Sequence, residues 1–198
     1  AAIFAASCGG GADKLASITD ANGNITGYEY DALGRLVKET DTLGNAISYS
    51  YDSRGRVASK TDAEGNTINY SYDSVGRLLK KTFPNGSTEV FTYDSKGNII
   101  TAGNQHISYS FTYDAKGKIT RVVDSSGRAL TYDYDSTGKR KKMTYPEGSI
   151  VNYNYNDAGR LASIINGGGR KYSFAYDSAG RRTGLNYPNG VTANYSYD

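Results

Sequence analysis

The stretch Tyr72-Asp73-Ser74-Val75-Gly76-Arg77-Leu78 decides how this chain folds. Its Asp can accept hydrogen bonds from the turn backbone, and a Gly follows three residues later, which is the chemistry of a short hairpin loop ending in a left-handed residue. Just before it, Asn69-Tyr70-Ser71-Tyr72 alternates small polar and aromatic side chains, as in a strand with one packed face. The stretch therefore predicts a strand, a tight turn and a returning strand.

The same stretch returns along the whole chain at a nearly constant interval. Nine Tyr residues occupy its first position, separated by 21 residues in seven cases and by 20 in one. A second aromatic stands two positions before each of them, and the two columns hold 15 of the 19 Tyr in the chain. Such a repeat predicts units that pack only against their neighbours along the chain.

Glycine marks a second turn between consecutive copies of this stretch. Phe83-Pro84-Asn85-Gly86, Tyr145-Pro146-Glu147-Gly148 and Tyr187-Pro188-Asn189-Gly190 place Pro at the first turn position and Gly where positive φ is needed. In the short fourth unit we expect a tighter two-residue loop at Ala102-Gly103-Asn104-Gln105. Long helices are excluded, because each interior Gly costs a helix about 1 kcal/mol.

Composition agrees with a repeat of hairpins. Leu, Ile, Val and Phe make up only 34 of 198 residues, whereas 19 Tyr and 24 Gly supply aromatic surface and turns. We predict an all-β, elongated, twisted or curled repeat sheet of stacked antiparallel β-hairpins, one per 21-residue repeat. Cross-strand stacking of the aromatic columns should replace an aliphatic core. Two residues after the turn Gly, most units have an apolar residue such as Leu36 or Leu78, but the sixth and eighth units have Arg140 and Arg182. We expect the packing of these two units to be weaker or specialised at that position.

The residues expected to build this framework are the Tyr, the Asp and the turn Gly of each copy. They are Tyr30, Asp31, Gly34, Tyr51, Asp52, Gly55, Tyr72, Asp73, Gly76, Tyr93, Asp94, Gly97, Tyr113, Asp114, Gly117, Tyr134, Asp135, Gly138, Tyr155, Gly159, Tyr176, Asp177, Gly180, Tyr197 and Asp198.

The sequence argues against several classes of function. One Cys and one His cannot supply a zinc site or a disulfide framework, and no apolar run approaches the roughly 18 residues that span a bilayer. A net charge of +3 gives no electrostatic case for nucleic acid. We predict no catalytic, cofactor-binding or metal site, and hence no enzyme. His106 is expected at the surface, and Lys139-Arg140-Lys141-Lys142 in a solvated strand that divides its side chains between two faces.

Tyr-Asp-x-x-Gly-Arg-Leu, as in residues 30–36 and 72–78, resembles the YD repeat of the Rhs family, and so does Asp-x-x-Gly-Asn in residues 41–45 and 62–66. The resemblance covers roughly residues 9–198. The family includes bacterial polymorphic toxins, toxin-complex shells and animal teneurins. The resemblance implies an extracellular or secreted β-strip that spirals into a hollow shell around a toxic domain, or that forms part of a cell-contact protein.

This chain departs from the toxin members of that family, which are several times longer and end in a self-cleaving plug and a variable toxin domain. Neither feature is present here, so we expect either a fragment of such a shell or a strip that serves as a building block. Of the two, we favour a non-enzymatic structural protein that is extracellular or at the bacterial cell surface. It would be a subunit of a fibre or surface scaffold that assembles head-to-tail as a homopolymer. A carbohydrate-binding adhesin is a further alternative, because aromatic ladders can stack on sugar rings.

The amino-terminal segment supports two interpretations. We divide the chain into residues 1–11, an apolar strand or lipobox-like segment with a Gly tether, and residues 12–198, the repeat strip of about nine units. Ala6-Ser7-Cys8 followed by three Gly is similar to a lipobox, so Cys8 is a candidate for lipidation, the one route to a membrane, or for an intermolecular disulfide. Alternatively, residues 1–8 add as a strand to the aromatic edge Asn194-Tyr195-Ser196-Tyr197 of the next molecule, which generates an open filament.

Overall fold

The computed structural model describes residues 14–198, which form eighteen β-strands joined by turns. The predictions for residues 1–11, Cys8 included, lie outside the described residues. The strands are β1 (Ser17–Thr19), β2 (Ile25–Tyr30), β3 (Leu36–Thr40), β4 (Ala46–Tyr51), β5 (Val57–Thr61), β6 (Thr67–Tyr72), β7 (Leu78–Thr82), β8 (Thr88–Tyr93), β9 (Ile99–Asn104), β10 (Ser108–Tyr113), β11 (Ile119–Asp124), β12 (Ala129–Tyr134), β13 (Arg140–Thr144), β14 (Ile150–Tyr155), β15 (Leu161–Ile165), β16 (Lys171–Tyr176), β17 (Arg182–Asn186) and β18 (Thr192–Asn194).

The strands fall into two compact units. The first reaches to Gly97 and includes Ala102–His106, and the second comprises Asn98–Thr101 and Ile107–Asp198, so that β9 contributes to both. In the first unit β1–β8 pair antiparallel, each with the next strand along the chain, and β10–β18 do the same in the second unit. The predicted all-β class of stacked antiparallel hairpins is confirmed.

Two kinds of ladder alternate along each unit. We call a strand that ends in Tyr-Asp a forward strand and the strand after it a return strand. From return to forward strand the ladder pairs three residues, as where Lys38–Thr40 face Ala46–Ser48. From forward to return strand it is longer and shifts register at the Tyr itself, so that Tyr51 lies opposite Val57 while Ser50 lies opposite Ser59. The same register shift, a β-bulge that the sequence pattern alone did not reveal, occurs at Tyr30, Tyr51, Tyr72, Tyr113, Tyr134, Tyr155 and Tyr176.

Strand alternation gives each unit an aromatic face and a polar face. In β6, Asn69 and Ser71 are exposed, whereas Tyr70 and Tyr72 are half-buried. Within residues 14–198 no apolar side chain is buried. Among the polar residues of this part of the chain, Ser163 is buried, with 7% of its surface exposed. The units therefore have no conventional core, and their stability must come from contacts within the sheet surface.

Two local predictions are wrong. The tight loop of the fourth unit lies at Gln105 and His106, not at Ala102–Gln105, because β9 continues to Asn104, whose side-chain oxygen accepts a hydrogen bond from the His106 N–H at 2.9 Å.

The predicted aromatic strand 194–197 is also shorter than expected, since β18 ends at Asn194. A return-to-forward ladder pairs only three residues, and in other hairpins the following return strand pairs the rest of the forward strand. Tyr195 nevertheless donates its N–H to the Thr183 carbonyl at 2.9 Å.

Candidate functional site

The Tyr-Asp turn is built around the carboxylate of its Asp. One oxygen of Asp31 accepts the backbone N–H groups of Leu33 and Arg35, each at 2.9 Å. Gly34 closes the turn by donating its N–H to the Asp31 carbonyl at 2.9 Å, with φ of 75° in the left-handed region. Only a residue without Cβ enters that region at little cost, which explains the Gly at this position.

The phenol of each Tyr-Asp tyrosine joins its hairpin to the preceding one. The hydroxyl of Tyr51 donates to the carbonyl of Leu36 at 2.6 Å, just beyond the three-residue ladder between β3 and β4. All nine tyrosines of the column make the equivalent bond, at 2.6–3.0 Å, to a carbonyl 14 or 15 residues earlier. These donors are Tyr30, Tyr51, Tyr72, Tyr93, Tyr113, Tyr134, Tyr155, Tyr176 and Tyr197. The hydroxyl thus provides a hydrogen bond where the backbone ladder has ended.

The Arg after the turn Gly completes this connection. Nε and Nη2 of Arg56 both lie 2.7 Å from the second carboxylate oxygen of Asp52, Oδ2, and form a salt bridge with it. Its guanidinium carbon lies 4.6 Å from the ring centroid of Tyr72, and its Nη1 donates to the Asp73 carbonyl at 3.0 Å. One side chain therefore links the turn of its own hairpin to the Tyr and the Asp of the next. We call this set of contacts the Asp-Arg-Tyr link.

The link recurs with variation. A cation lies 4.5–5.9 Å from the ring centroid of seven Tyr-Asp tyrosines. Lys118 and Lys139 supply it in two of them, at 5.4 and 5.3 Å, and Arg in the other five. In the fourth unit Asn98 stands where the others have Arg or Lys. The motif Tyr-Asp-x-x-Gly-Arg contains this basic residue, but the sequence does not show that it contacts the Tyr of the next hairpin. The signal was its fixed offset of five residues from the Tyr.

The predicted stacking of successive Tyr rings is corrected by this geometry. Successive forward strands are separated by a return strand, so equivalent rings are roughly 9.5 Å apart along the sheet, beyond the range of aromatic pairing. Arg or Lys fills the interval in the seven links described above. Tyr172 and Tyr187 do form an edge-to-face ring pair, with centroids 6.1 Å apart and an interplanar angle of 75°. This pair joins the aromatic face to a turn and does not connect equivalent rings of successive hairpins.

Arg140 and Arg182, which stand where other repeats have an apolar residue after the turn, have a specialised contact. The guanidinium of Arg140 lies 4.6 Å from the Tyr132 ring centroid, and that of Arg182 lies 4.7 Å from the Tyr195 ring centroid. Both contacts are to the second aromatic column. These arginines therefore cover rings where other repeats place an aliphatic side chain.

Hydrogen bonding holds the turn carboxylates in the ionised form. The backbone N–H of Arg35, and then its side chain, lower the pKa of Asp31 below the ordinary value of 3.8, and Arg56 does the same for Asp52. On the opposite turns the side-chain amides of Asn45 and Asn66 lower the pKa of Asp41 and Asp62. Burial raises the pKa of the Tyr72 phenol above its ordinary 10.0, so this hydroxyl remains a donor at neutral pH.

His106 is exposed in its turn, and no cluster of three metal-ligating side chains occurs in residues 14–198. The basic run is divided as expected, since Lys139 and Arg140 lie over tyrosine rings while Lys142 faces Asp133 at 3.8 Å. The same residues contain no helix long and apolar enough to cross a membrane.

The arrangement defines a class of protein, a sheet of repeated hairpins linked by Tyr, Asp and Arg or Lys. The sequence profile of the RHS Repeat family matches residues 11–46, 30–67, 51–88 and 72–104, and that of the Teneurin YD-shell matches residues 92–198. The second match covers more than half of the chain. The chain belongs to the Rhs and YD-shell repeat family. No curated protein sequence matches it.

Solved structures share this fold at low sequence identity. The crystal structure of TcdB2-TccC3 without the hypervariable C-terminal region superposes with a TM-score of 0.66 and 17% identity, over 92% of this chain and 12% of that one. The TcdB2-TccC3-Cdc42 crystal structure gives 0.59 and 17%, over 92% and 13%. The Photorhabdus luminescens Tc holotoxin pore gives 0.57 and 17%, over 88% and 13%. The chain thus spans about an eighth of the length of these proteins, and the likeness establishes a common fold.

Proposed function

We propose that this chain is a wall segment of a YD-repeat shell, which encloses another polypeptide in a secreted bacterial toxin complex. Its role is structural and not enzymatic. The observation that carries the proposal is the hydrogen bond from each of the nine Tyr-Asp tyrosines to the preceding hairpin. A wall one sheet thick has no second layer to pack against, so it requires links of this kind between successive hairpins.

The comparisons support the shell better than the fibre that the ends of the sequence had suggested. Both family profiles describe repeats, one of them a shell, and the superposed structures are Tc toxin proteins. Association with other subunits of such a complex follows from the proposal. Use of the aromatic ladder for glycans is less well supported, because Arg or Lys already covers seven of its rings.

Labelling of the two faces tests the shell. In a Cys8→Ser background, one variant carries Lys60→Cys on the aromatic face and the other Asn69→Cys on the polar face, where Asn69 lies opposite Ser59 and Thr82. The reagent is a maleimide on a large polyethylene glycol. The isolated chain should react at both positions. In the native polypeptide that carries this segment, only one of the two cysteines should react with the reagent. The other should be protected, because a closed wall hides either its aromatic or its polar face from a large reagent.

Electron microscopy of the same native polypeptide supplies the second measurement. Hollow closed particles together with one-sided protection are expected. Equal labelling of both faces in long filaments would reject the shell in favour of the fibre.

A further inference from the structure

The most exposed large apolar side chains of the described residues lie at turn tips of the first unit. Leu43 is 86% exposed, Leu33 77% and Val75 74%. Each occupies the same position, directly before the turn Gly. Scattered exposed apolar side chains are common on protein surfaces, so the feature that distinguishes these three is their shared position at the turn tips.

Hairpin topology places these tips on two opposite edges of the first unit. The turns that follow forward strands form what we call the Tyr-Asp edge, with tips Leu33, Arg54, Val75 and Lys96 in order. The turns at the other ends of the strands form the opposite edge, where the tips directly before a left-handed Gly are Asn22, Leu43, Glu64 and Asn85. Neighbouring tips on one edge are two strands apart, or roughly 9.5 Å.

Two consecutive tips of the opposite edge, Leu43 and Glu64, are complementary to consecutive tips of the Tyr-Asp edge. The Tyr-Asp edge alternates apolar and cationic tips, and the opposite edge presents an apolar tip followed by an anionic one. When two copies lie side by side with their hairpins running in the same direction, Leu43 and Glu64 of one copy can meet Leu33 and Arg54 of the other. A shift of two repeats brings Leu43 and Glu64 to Val75 and Lys96 instead. A shift of one repeat in one direction from the first register places Leu43 opposite Arg54, and a shift in the other direction places Glu64 opposite Leu33. Both shifts pair an apolar tip with a charged one and are therefore unfavourable.

The contacts of these turns hold the tips in place. Thr42 Oγ1 donates to the Ile25 carbonyl at 2.9 Å, which fixes the turn that carries Leu43. Arg54 donates through Nη1 to the Ser74 carbonyl of the next turn on its edge, yet its side chain remains exposed, with further N–H groups to offer. An ordered tip loses little conformational entropy on association.

We propose that the Tyr-Asp edge of the first unit binds the opposite edge of a second copy of this chain. The contact is heterologous, so it generates open-ended lateral association and not a closed dimer. The second unit lacks the pattern, since its Tyr-Asp tips are Lys116, Thr137, Ala158 and Ala179. The inference goes beyond the shell, because a wall formed by one polypeptide does not require association between copies.

Sedimentation velocity of the full chain at rising concentration tests the contact. The weight-average mass should increase without a plateau, and it should fall when the salt concentration is raised, because exposed charge pairs are screened. Glu64→Arg should weaken association about tenfold in both registers. The double variant Arg54→Glu with Lys96→Glu should do the same, while either single substitution removes one register.

Mixing the variants provides the decisive result. Each variant alone opposes like charges, but an equal mixture of Glu64→Arg with Arg54→Glu/Lys96→Glu restores opposite charges at every contact between unlike copies, and therefore restores association. Glu147→Arg and Lys116→Glu are the controls, since they make the same charge changes at equivalent tips of the second unit. Both should behave like the unaltered chain.

Three results would overturn the proposal: a monomeric chain at every concentration, equal effects of Glu64→Arg and Glu147→Arg, or no recovery on mixing. Far-ultraviolet circular dichroism of each variant checks that its fold is retained. None of these results bears on the one-sided labelling that tests the shell, so the two proposals fail separately.

Discussion

At the scale of single residues, the hydroxyl of each Tyr-Asp tyrosine contributes a hydrogen bond that a Phe cannot make. In Tyr72→Phe the ring under Arg56 is kept, while the Val57 carbonyl loses its 2.8 Å partner. We expect a loss of about 1 kcal/mol in the free energy of unfolding, measured by urea denaturation. Tyr109→Phe, at a ring 40% exposed, is the control and should change little. Equal losses in the two variants would contradict the role of the phenol.

The choice of Arg or Lys as the cation of the Asp-Arg-Tyr link should also affect the stability of the fold. Lys118 reaches the Tyr134 ring at 5.4 Å, whereas Arg56 lies 4.6 Å from its ring and adds hydrogen bonds on both sides. A planar guanidinium can stack on an aromatic ring and donate hydrogen bonds from several nitrogens at once, whereas an ammonium group cannot stack in this way. Lys118→Arg should therefore stabilise the chain by about 0.5–1 kcal/mol, seen as a higher midpoint of thermal unfolding.

The matched control for this substitution is Lys116→Arg at an exposed turn tip two residues away. It should leave the midpoint unchanged. A midpoint for Lys118→Arg at or below that of the original chain would show that the cation contributes charge alone.

At the scale of the turn, acid should unfold the sheet through the Asp carboxylates. Hydrogen bonding lowers the pKa of Asp31, Asp41, Asp52 and Asp62 in the folded chain. A group with a depressed pKa stabilises the fold above its ordinary value, here 3.8, and this stabilisation is lost as pH falls through the folded pKa. The thermal midpoint should be flat above about pH 5 and fall below about pH 4.

Asp52→Asn isolates one of these turns. Its side-chain oxygen can still accept backbone N–H groups, but it does not titrate in this range. The thermal midpoint of the variant should therefore depend less steeply on pH below about 4 than that of the original chain. An identical pH profile would remove Asp52 from the acid response.

The left-handed Gly is the other determinant of the turn. Gly44 has φ of 86° and open space around the position of a Cβ, so Gly44→Ala tests backbone conformation without a steric clash. We expect a loss of about 1–2 kcal/mol in the free energy of unfolding. Gly168 lies in a turn outside the left-handed region, and a Cβ there approaches only Asn166 Oδ1 at 3.6 Å. Gly168→Ala should be nearly neutral, and equal losses at both positions would contradict the argument.

At the scale of the whole molecule, stability should be local, because each hairpin is held mainly by its neighbours. Tyr72→Phe removes a bond between β6 and the start of β5, so hydrogen exchange should accelerate in β5–β7 of the first unit. Amides of β15–β17 in the second unit should exchange at their original rates. Uniform acceleration throughout residues 14–198 would indicate a single cooperative unit.

The repeat, the turns and the all-β class of residues 14–198 were predictable from sequence because they depend on local chemistry. A Tyr-Asp-x-x-Gly stretch combines strand alternation, a carboxylate that accepts turn N–H groups and a residue that tolerates positive φ, all within a few residues. The same local logic misplaced the fourth-unit loop, where Gly103 was taken as the turn residue. The strand continues past it, so the turn falls at Gln105 and His106.

The sequence by itself determined the hairpin, its period and, outside the fourth unit, the turn positions within it. Only the tertiary structure decided which side chains meet, because Arg56 and Tyr72 are 16 residues apart and their contact depends on the ladder register and on the bulges at Tyr51 and Tyr72. That register also separates equivalent rings by two strands, which replaces ring stacking with Arg-Tyr contacts. Local chemistry specifies each hairpin, and the geometry between strands specifies how one hairpin holds the next.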